Sequence, residues 1–106
     1  MVTTLSLKVF AGASGLEKQI EGGYASDLLS DVMGNAAQGM VWLTLQTHKN
    51  VLAIASLKDL SAVILVNHHQ PNPETIAQAD EEGIPLLGSH LPAFELAGKI
   101  YSLMHS

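Results

Sequence analysis

The sequence has no cysteine and few cationic residues, and each shortage excludes a class of function. Without cysteine there are no disulfides, no thiolate nucleophile and no cysteine-ligated zinc. Lys and Arg number 5 against 10 Asp and Glu in 106 residues, which gives a formal net charge of −5. Because no basic run is present to attract a phosphate backbone, we expect no nucleic-acid partner.

Long hydrophobic runs are also missing. Residues 1–10 have neither the basic start nor the continuous apolar stretch of a signal peptide, and no run approaches the roughly 20 apolar residues that cross a bilayer. We therefore expect no membrane partner and a cytoplasmic location. Apolar residues are nevertheless abundant in short segments and make up 47% of the chain. That amount is enough for the core of one domain covering residues 1–106.

The short apolar segments predict alternating strands and helices. Strands are predicted at 5–10, 41–46, 61–66 and 84–87, a further strand or irregular connection at 16–23, and helices at 26–39, 50–59, 72–83 and 91–103. In the third helix, Asn72, Pro73 and Glu74 follow the order of a cap, a first-turn proline and an acid, and Gly83 ends the helix. Three strand-helix alternations after residue 40 are typical of βαβ units, so the predicted fold is a layered α/β/α domain with a mostly parallel sheet.

Aromatic side chains are predicted to pack. We interpret Tyr24 and Trp42 as packing or interface residues. The last helix is amphipathic, with its apolar positions supplied by Phe94, Leu96, Ala97, Ile100, Tyr101 and Leu103.

Five segments, taken in order, resemble one protein family. They are GGYASDLLSDVMG at 22–34, AVIL at 62–65, PNPE at 71–74, ADEEGIPLL at 79–87 and AFE at 93–95. The first is similar to stand-alone members of the DRTGG family, and the other four resemble the C-terminal half of a DRTGG domain. The resemblance implies kinship with the N-terminal domain of HPr kinase/phosphorylase, and such members are sometimes labelled serine kinases on that kinship alone.

The resemblance also implies partners. DRTGG domains occur between nucleotide-binding CBS domains in some pyrophosphatases and attached to some phosphotransacetylases. A module that binds or relays is thus implied, often as a homodimer, with a partner enzyme and with a nucleotide or phosphorylated small molecule as ligand. Where the family's Thr-Gly-Gly would stand, this chain has Val66, Asn67 and His68. Asn and His enter positive φ more readily than most residues, which permits the turn but removes the bare glycine backbone.

No loop in the sequence supports intrinsic kinase activity. The nearest segment, Gly12 to Lys18, lacks the adjacent Gly-Lys-Ser/Thr of a phosphate-binding loop. In the related HPr kinase/phosphorylase, the nucleotide site belongs to a separate C-terminal domain. We therefore predict no enzyme activity, no catalytic residue, no cofactor and no metal.

Polar side chains follow three predicted strands, at the edge where open parallel sheets bind ligands. Asp27 is added because it lies in the segment that resembles the family, and Thr44 because it shares one face of its strand with Gln46. The predicted ligand-binding residues are Asp27, Thr44, Gln46, Thr47, His48, Asn50, Asn67, His68, Ser89 and His90. Two simpler interpretations remain open. The first is that these residues are polar because loops face water, and that they bind no ligand. The second is that Asp27 is an acid in the first turn of its helix, where it interacts favourably with the unpaired N–H groups.

Three functions are compatible with these patterns. The first is a regulatory or ligand-binding module acting on a separately encoded enzyme. The second is a structural interaction domain that assembles through an apolar patch around Tyr24, Trp42 or the last helix. The third is an enzyme using His48 or His90 as a general base, which requires a second catalytic group within hydrogen-bond reach.

Overall fold

A computed structural model describes residues 2–105. Its elements are β1 (Lys8–Ala11), β2 (Gly22–Ala25), α1 (Leu29–Asn35), β3 (Met40–Thr44), α2 (Asn50–Leu57), β4 (Ala62–Leu65), α3 (Pro73–Glu82), β5 (Leu86–Gly88) and α4 (Ala93–Met104), with one 3₁₀ turn at Ala13–Gly15. Strand and helix alternate from β3 to α4, as the sequence predicts.

The five strands form one sheet in the order β1-β5-β4-β3-β2. Strands β2 to β5 are parallel to one another, and only the edge strand β1 runs antiparallel, against β5, with a shift of register between Val9 and Ala11. Helices cover both faces of this sheet. The predicted layered α/β/α fold with a mostly parallel sheet is confirmed.

Two cores lie on opposite faces of the sheet. On one face, Trp42 and Val63 pack with buried residues of α1, α2 and α3. On the other face, Leu43 and Ile64 pack against α4 and against the N-terminal segment that carries Leu5 and Leu7. Every residue of β4 is buried, which matches the continuous apolar run expected of a strand covered on both sides.

The predicted bounds of α3 are confirmed, with Pro73 at its start and Gly83 at its end. Asn72 precedes the helix with extended φ and ψ, Pro73 begins it, and Gly83 ends it at φ 67°, a left-handed conformation that glycine adopts without steric cost. The predicted side-chain cap is wrong, however: Asn72 makes no capping hydrogen bond, and its side-chain amide nitrogen lies 2.9 Å from His48 Nδ1.

The prediction for α1 is too long. The helix spans Leu29–Asn35, because Ala36 turns to an extended ψ of 150°. Ser26 lies outside the helix, where its Oγ accepts a hydrogen bond from the N–H of Leu28 at 3.2 Å. Gly39 does not cap the helix either; its φ of 83° belongs to the turn into β3.

The N-terminal strand and the last helix also differ from prediction. Leu5 lies in a turn and Leu7 is the residue directly before β1, although both leucines are buried as their pattern indicates. In α4 only Leu96 and Ile100 are buried, whereas Phe94 is 90% exposed and Tyr101 67% exposed. These two aromatic residues lie on a side of α4 that nothing covers within the described chain. No helix in residues 2–105 is both long enough and apolar enough to span a membrane.

Candidate functional site

The carboxyl ends of β2 and β3 are joined through Asp27. Its Oδ1 accepts hydrogen bonds from Thr44 Oγ1 at 2.8 Å and from the N–H of Leu45 at 2.6 Å. In return, Gln46 Nε2 donates to the backbone oxygen of Asp27 at 2.9 Å, and the N–H of Gln46 donates to Thr44 Oγ1 at 3.1 Å. We call this group the Asp27 latch. The expectation that Asp27 lies in the first turn of a helix is wrong: it precedes α1 and bonds across to β3.

A shallow pocket opens beside the latch. Its volume is about 240 Å³, and it lies between the ends of β2, β3 and β4 and the start of α4. Asp27, Thr44 and Asn67 line it together with apolar groups such as Val66 and Ala93. The structure thus brings together three of the predicted ligand-binding residues from three different segments.

His48 and Thr47 belong to a separate group that anchors α3. The Nδ1 of His48 lies 2.9 Å from the side-chain amide nitrogen of Asn72. The backbone oxygen of Thr47 accepts bonds from the N–H of Asn72 at 3.2 Å and from Thr75 Oγ1 at 2.9 Å. Asn50 is the exposed first residue of α2. The contacts of Thr47 and His48 hold the start of α3 in place. Thr47, His48 and Asn50 do not line the pocket beside Asp27.

The remaining predicted residues line a second concave surface at the end of β5, which we call the histidine cavity. Its volume is about 210 Å³. The lining residues are Ser6, Lys8, Phe10, His68, His69, Gln70, Gly88, Ser89 and His90. The rings of His68 and His90 lie 5.7 Å apart between centroids, tilted by 42°. Ser89 is buried and its Oγ accepts a hydrogen bond from the N–H of Leu91 at 3.0 Å.

A tight turn at Asn67 and His68 separates the two concave surfaces. Both residues have left-handed φ, 56° and 61°, so the turn expected at the Thr-Gly-Gly position forms without glycine. The N–H of Asn67 donates to Leu91 O at 2.8 Å, and the N–H of His68 donates to Ser89 O at 3.0 Å. Since both amides are occupied, the turn offers a ligand its side chains rather than its backbone.

Ser6 and Lys8 are absent from the sequence-based prediction. An antiparallel edge strand begins where its parallel neighbours end, so β1 brings Lys8 beside Gly88 at the carboxyl edge of the sheet. The alternation of residues 5–10 indicates a strand but not its direction. The sequence marks Lys8 as a candidate anion ligand only by its scarcity, since it is one of 5 Lys and Arg residues in the chain.

Tyr24 and Asp31 form a polar pair on the α1 side of β2. Tyr24 donates its hydroxyl proton to Asp31 Oδ2 at 2.9 Å. This hydrogen bond holds the pKa of Asp31 below its ordinary value and is the largest cause of the raised pKa of Tyr24. The pair lies away from both concave surfaces and stabilises α1 against the sheet. Within residues 2–105 no three His, Asp or Glu side chains are arranged to hold a metal ion.

An apolar groove of about 340 Å³ runs between α4 and β2. Tyr24, Met40, Ala97, Tyr101 and Met104 line it, together with the small residues of β2. Within the described chain, α4 is the only helix on this face of the sheet, and the groove lies between its C-terminal half and β2.

The elements described above form a layered α/β domain, and comparison with known proteins shows which solved structure that fold resembles. No known protein family matches the sequence, and no curated protein matches it. Among solved structures, the fold is similar to the CBS and DRTGG domains of the regulatory region of Clostridium perfringens pyrophosphatase, determined with its activator diadenosine tetraphosphate. The TM-score is 0.70 at 16% sequence identity.

That alignment covers 92% of this chain and 42% of the pyrophosphatase chain. This chain therefore spans less than half the length of the structure it resembles. At this level of identity the similarity establishes the shared α/β fold.

Proposed function

We propose that this protein is a DRTGG-like regulatory module that binds a nucleotide or phosphorylated metabolite at the carboxyl edge of its sheet and acts on a separate partner enzyme. The observation that carries the proposal is the pair of concave surfaces on either side of the Asn67–His68 turn, each of which places polar side chains from several strand ends among apolar ones. Ligands of open α/β sheets collect at this edge, where several strand ends contribute side chains to one site.

The contacts at the edge favour binding over chemistry. Asp27 uses Oδ1 in the latch, and His48 is engaged with Asn72. His90, the other histidine considered as a general base, contacts the ring of His68 and no carboxylate among the residues that line its cavity. A general base needs a partner that orients it within hydrogen-bond reach, and neither histidine has an acid in that position in the described chain. The similarity to a regulatory region that binds a nucleotide activator gives this proposal further support.

The test is a thermal-shift and calorimetric screen of the whole chain against nucleotides, including diadenosine tetraphosphate, and against phosphorylated metabolites. A ligand present at 100 times its Kd stabilises the folded state by about 2.7 kcal/mol, which raises the Tm of a domain of this size by roughly 10 °C. The matched control is each ligand's unphosphorylated counterpart. A screen in which no phosphorylated compound gives saturable stabilisation would contradict the proposal.

A second candidate role, homodimerisation, is favoured by the uncovered side of α4. Phe94 and Tyr101 are seven residues apart, two helical turns, on the same side of α4, and the midpoint between them falls between Ala97 and Gly98. If two copies of α4 crossed antiparallel at that midpoint, Phe94 of each would face Tyr101 of the other, a self-complementary two-fold arrangement. The small residues at the crossing allow close approach, since a Cβ at Gly98 would meet nothing within 4 Å.

Sedimentation velocity tests this role. Tyr101→Glu places a charge on the proposed interface and is expected to convert a dimer into a monomer. Leu57→Glu is the matched control, because Leu57 is 71% exposed on α2, in the helical layer opposite α4. A wild-type chain that sediments as a monomer at every concentration tested would exclude the homodimer.

A further inference from the structure

The histidine cavity gathers cationic and protonatable groups without any acid. The whole chain has 5 Lys and Arg residues and 5 His, against 10 Asp and Glu. One Lys and three His line this single cavity, and no Asp or Glu is among its lining residues. In a protein of net charge −5, such a concentration marks a place where an anion would meet attractive groups from several directions.

The fold holds these groups in place from three separate segments. Register pairing sets Lys8 of β1 beside Gly88 of β5. The Lys8 ammonium lies over the ring of Phe10, 5.0 Å from its centroid, so it is held at the wall of the cavity. Gly88 makes room for that wall, since a Cβ there would lie 2.4 Å from a Phe10 ring atom.

The two histidines come from different strand ends. His68 follows β4 and His90 follows β5, and the 42° tilt between their rings directs ring nitrogens along different lines. Each imidazole can donate at least one N–H, and both ring nitrogens donate when the ring is protonated. Ser89 Oγ accepts a hydrogen bond from the N–H of Leu91, which leaves the hydroxyl proton of Ser89 able to donate.

The size of the cavity restricts what it holds. At about 210 Å³ it is smaller than the 300–1,000 Å³ typical of sites that enclose a whole small molecule. It suits a single phosphoryl group. Ser6 and His90 also line an adjoining open groove of about 400 Å³ along α4, which includes Lys99 and Ser102 and has room for the remainder of a ligand.

We propose that the histidine cavity is a phosphate subsite, in which Lys8, His68 and His90 bind the terminal phosphoryl group of a phosphorylated small molecule whose remainder lies along α4. This inference deepens the proposed regulatory function and rests on it. A metal cation is disfavoured in the same place, because the Lys8 ammonium would repel it and no carboxylate lines the cavity.

The probe is inorganic phosphate, titrated into the isotope-labelled whole chain at constant ionic strength and followed by NMR of backbone amides and imidazole rings. We expect saturable shifts concentrated at Lys8, His68 and His90. Lys8→Gln should weaken phosphate binding about tenfold through loss of a charge-assisted hydrogen bond. Lys18→Gln is the matched control, because Lys18 is exposed and lines a different surface. For the imidazole, His68→Asn tolerates the left-handed φ of 61° and so keeps the turn.

Phosphate shifts that scatter over the surface without saturating, or equal phosphate affinity in Lys8→Gln and Lys18→Gln, would overturn the subsite. Failure of the subsite can be told apart from failure of the regulatory function. If a phosphorylated ligand from the screen stabilises Lys8→Gln/His68→Asn as much as the wild type, the subsite is wrong and ligand binding lies elsewhere at the edge. Saturable phosphate binding confined to the cavity supports the subsite even where no organic ligand has yet stabilised the chain.

Discussion

Replacing Asp27 by alanine tests whether the latch stabilises the fold. The substitution removes the acceptor of two hydrogen bonds, from the buried Thr44 hydroxyl and from the N–H of Leu45. Hydrogen bonds to a charged group contribute about 1.5–3 kcal/mol each, and the low end applies here because Asp27 is exposed and water can reach Leu45. We expect Asp27→Ala to lower the free energy of unfolding by about 2–3 kcal/mol, or roughly 8–12 °C in Tm.

A double-mutant cycle isolates the latch from other effects. Thr44→Val removes the buried hydroxyl that Asp27→Ala would leave without its acceptor, so the two changes together should cost less than their sum. The expected coupling energy is about 1–2 kcal/mol. Urea unfolding followed by fluorescence measures it directly, because the chain has a single tryptophan, Trp42, which is buried and donates its Nε1–H to Ser26 O at 2.8 Å next to the latch.

The matched control is Glu81→Ala, which removes an exposed carboxylate from α3 and should change the stability by no more than about 0.5 kcal/mol. If Asp27→Ala also stays within about 0.5 kcal/mol of the wild type, or if the two latch substitutions are additive, the latch does not stabilise the fold. Asp27 would then be available to a ligand.

Three further substitutions test local features, each by urea unfolding. Gly12→Ala should destabilise by several kcal/mol or prevent folding, since φ is 72° and a Cβ would lie 1.9 Å from Ile84 O; near-wild-type stability would contradict that geometry. Gly34→Ala should stabilise by about 0.5–1 kcal/mol, because Gly34 lies within α1 and a Cβ there meets nothing within 4 Å; a loss of stability would show a contact not visible in the fold. Tyr24→Phe should have a lower free energy of unfolding than the wild type, and the difference between the two proteins should be largest between about pH 5 and 9. The lowered pKa of Asp31 makes that difference shrink as pH falls through the acidic range, and the raised pKa of Tyr24 makes it shrink at strongly alkaline pH, so a difference independent of pH would refute the pair's role.

The sequence predicts best where local chemistry and burial agree. In α3 the proline and the closing glycine determine both ends without help from the rest of the chain, and β4 is buried throughout as its apolar run indicates. The prediction fails where tertiary contacts decide. Asp27 is typical of a first-turn acid, but its partners, Thr44 at the end of β3 and Leu45 just after it, are distant in sequence and come close only in the folded chain.

The sequence predicts that polar residues lie at the carboxyl edge of the sheet, but not which of them share one surface. The order of strand and loop indicates which polar residues reach the carboxyl edge. It does not indicate that the Asn67–His68 turn separates these residues into two groups. Nor does it indicate that His48 contacts Asn72 at the start of α3. Lys8 was beyond prediction because the antiparallel direction of β1 depends on its pairing with β5, a contact of high sequence separation.

The Asn67–His68 turn has a mechanical consequence. Its two backbone N–H groups donate to the carbonyls of Leu91 and Ser89, and Leu91 lies two residues before the start of α4 at Ala93. The wall of the histidine cavity and the helix with the uncovered aromatic side are thus joined by two short backbone hydrogen bonds rather than by a flexible linker. A ligand that displaced this turn would therefore also displace the N-terminal end of α4. Binding at the cavity would then change the affinity of association through α4, and association would change the affinity of binding by the same factor. Sedimentation with and without phosphate would measure that linkage as a change in the dimer dissociation constant.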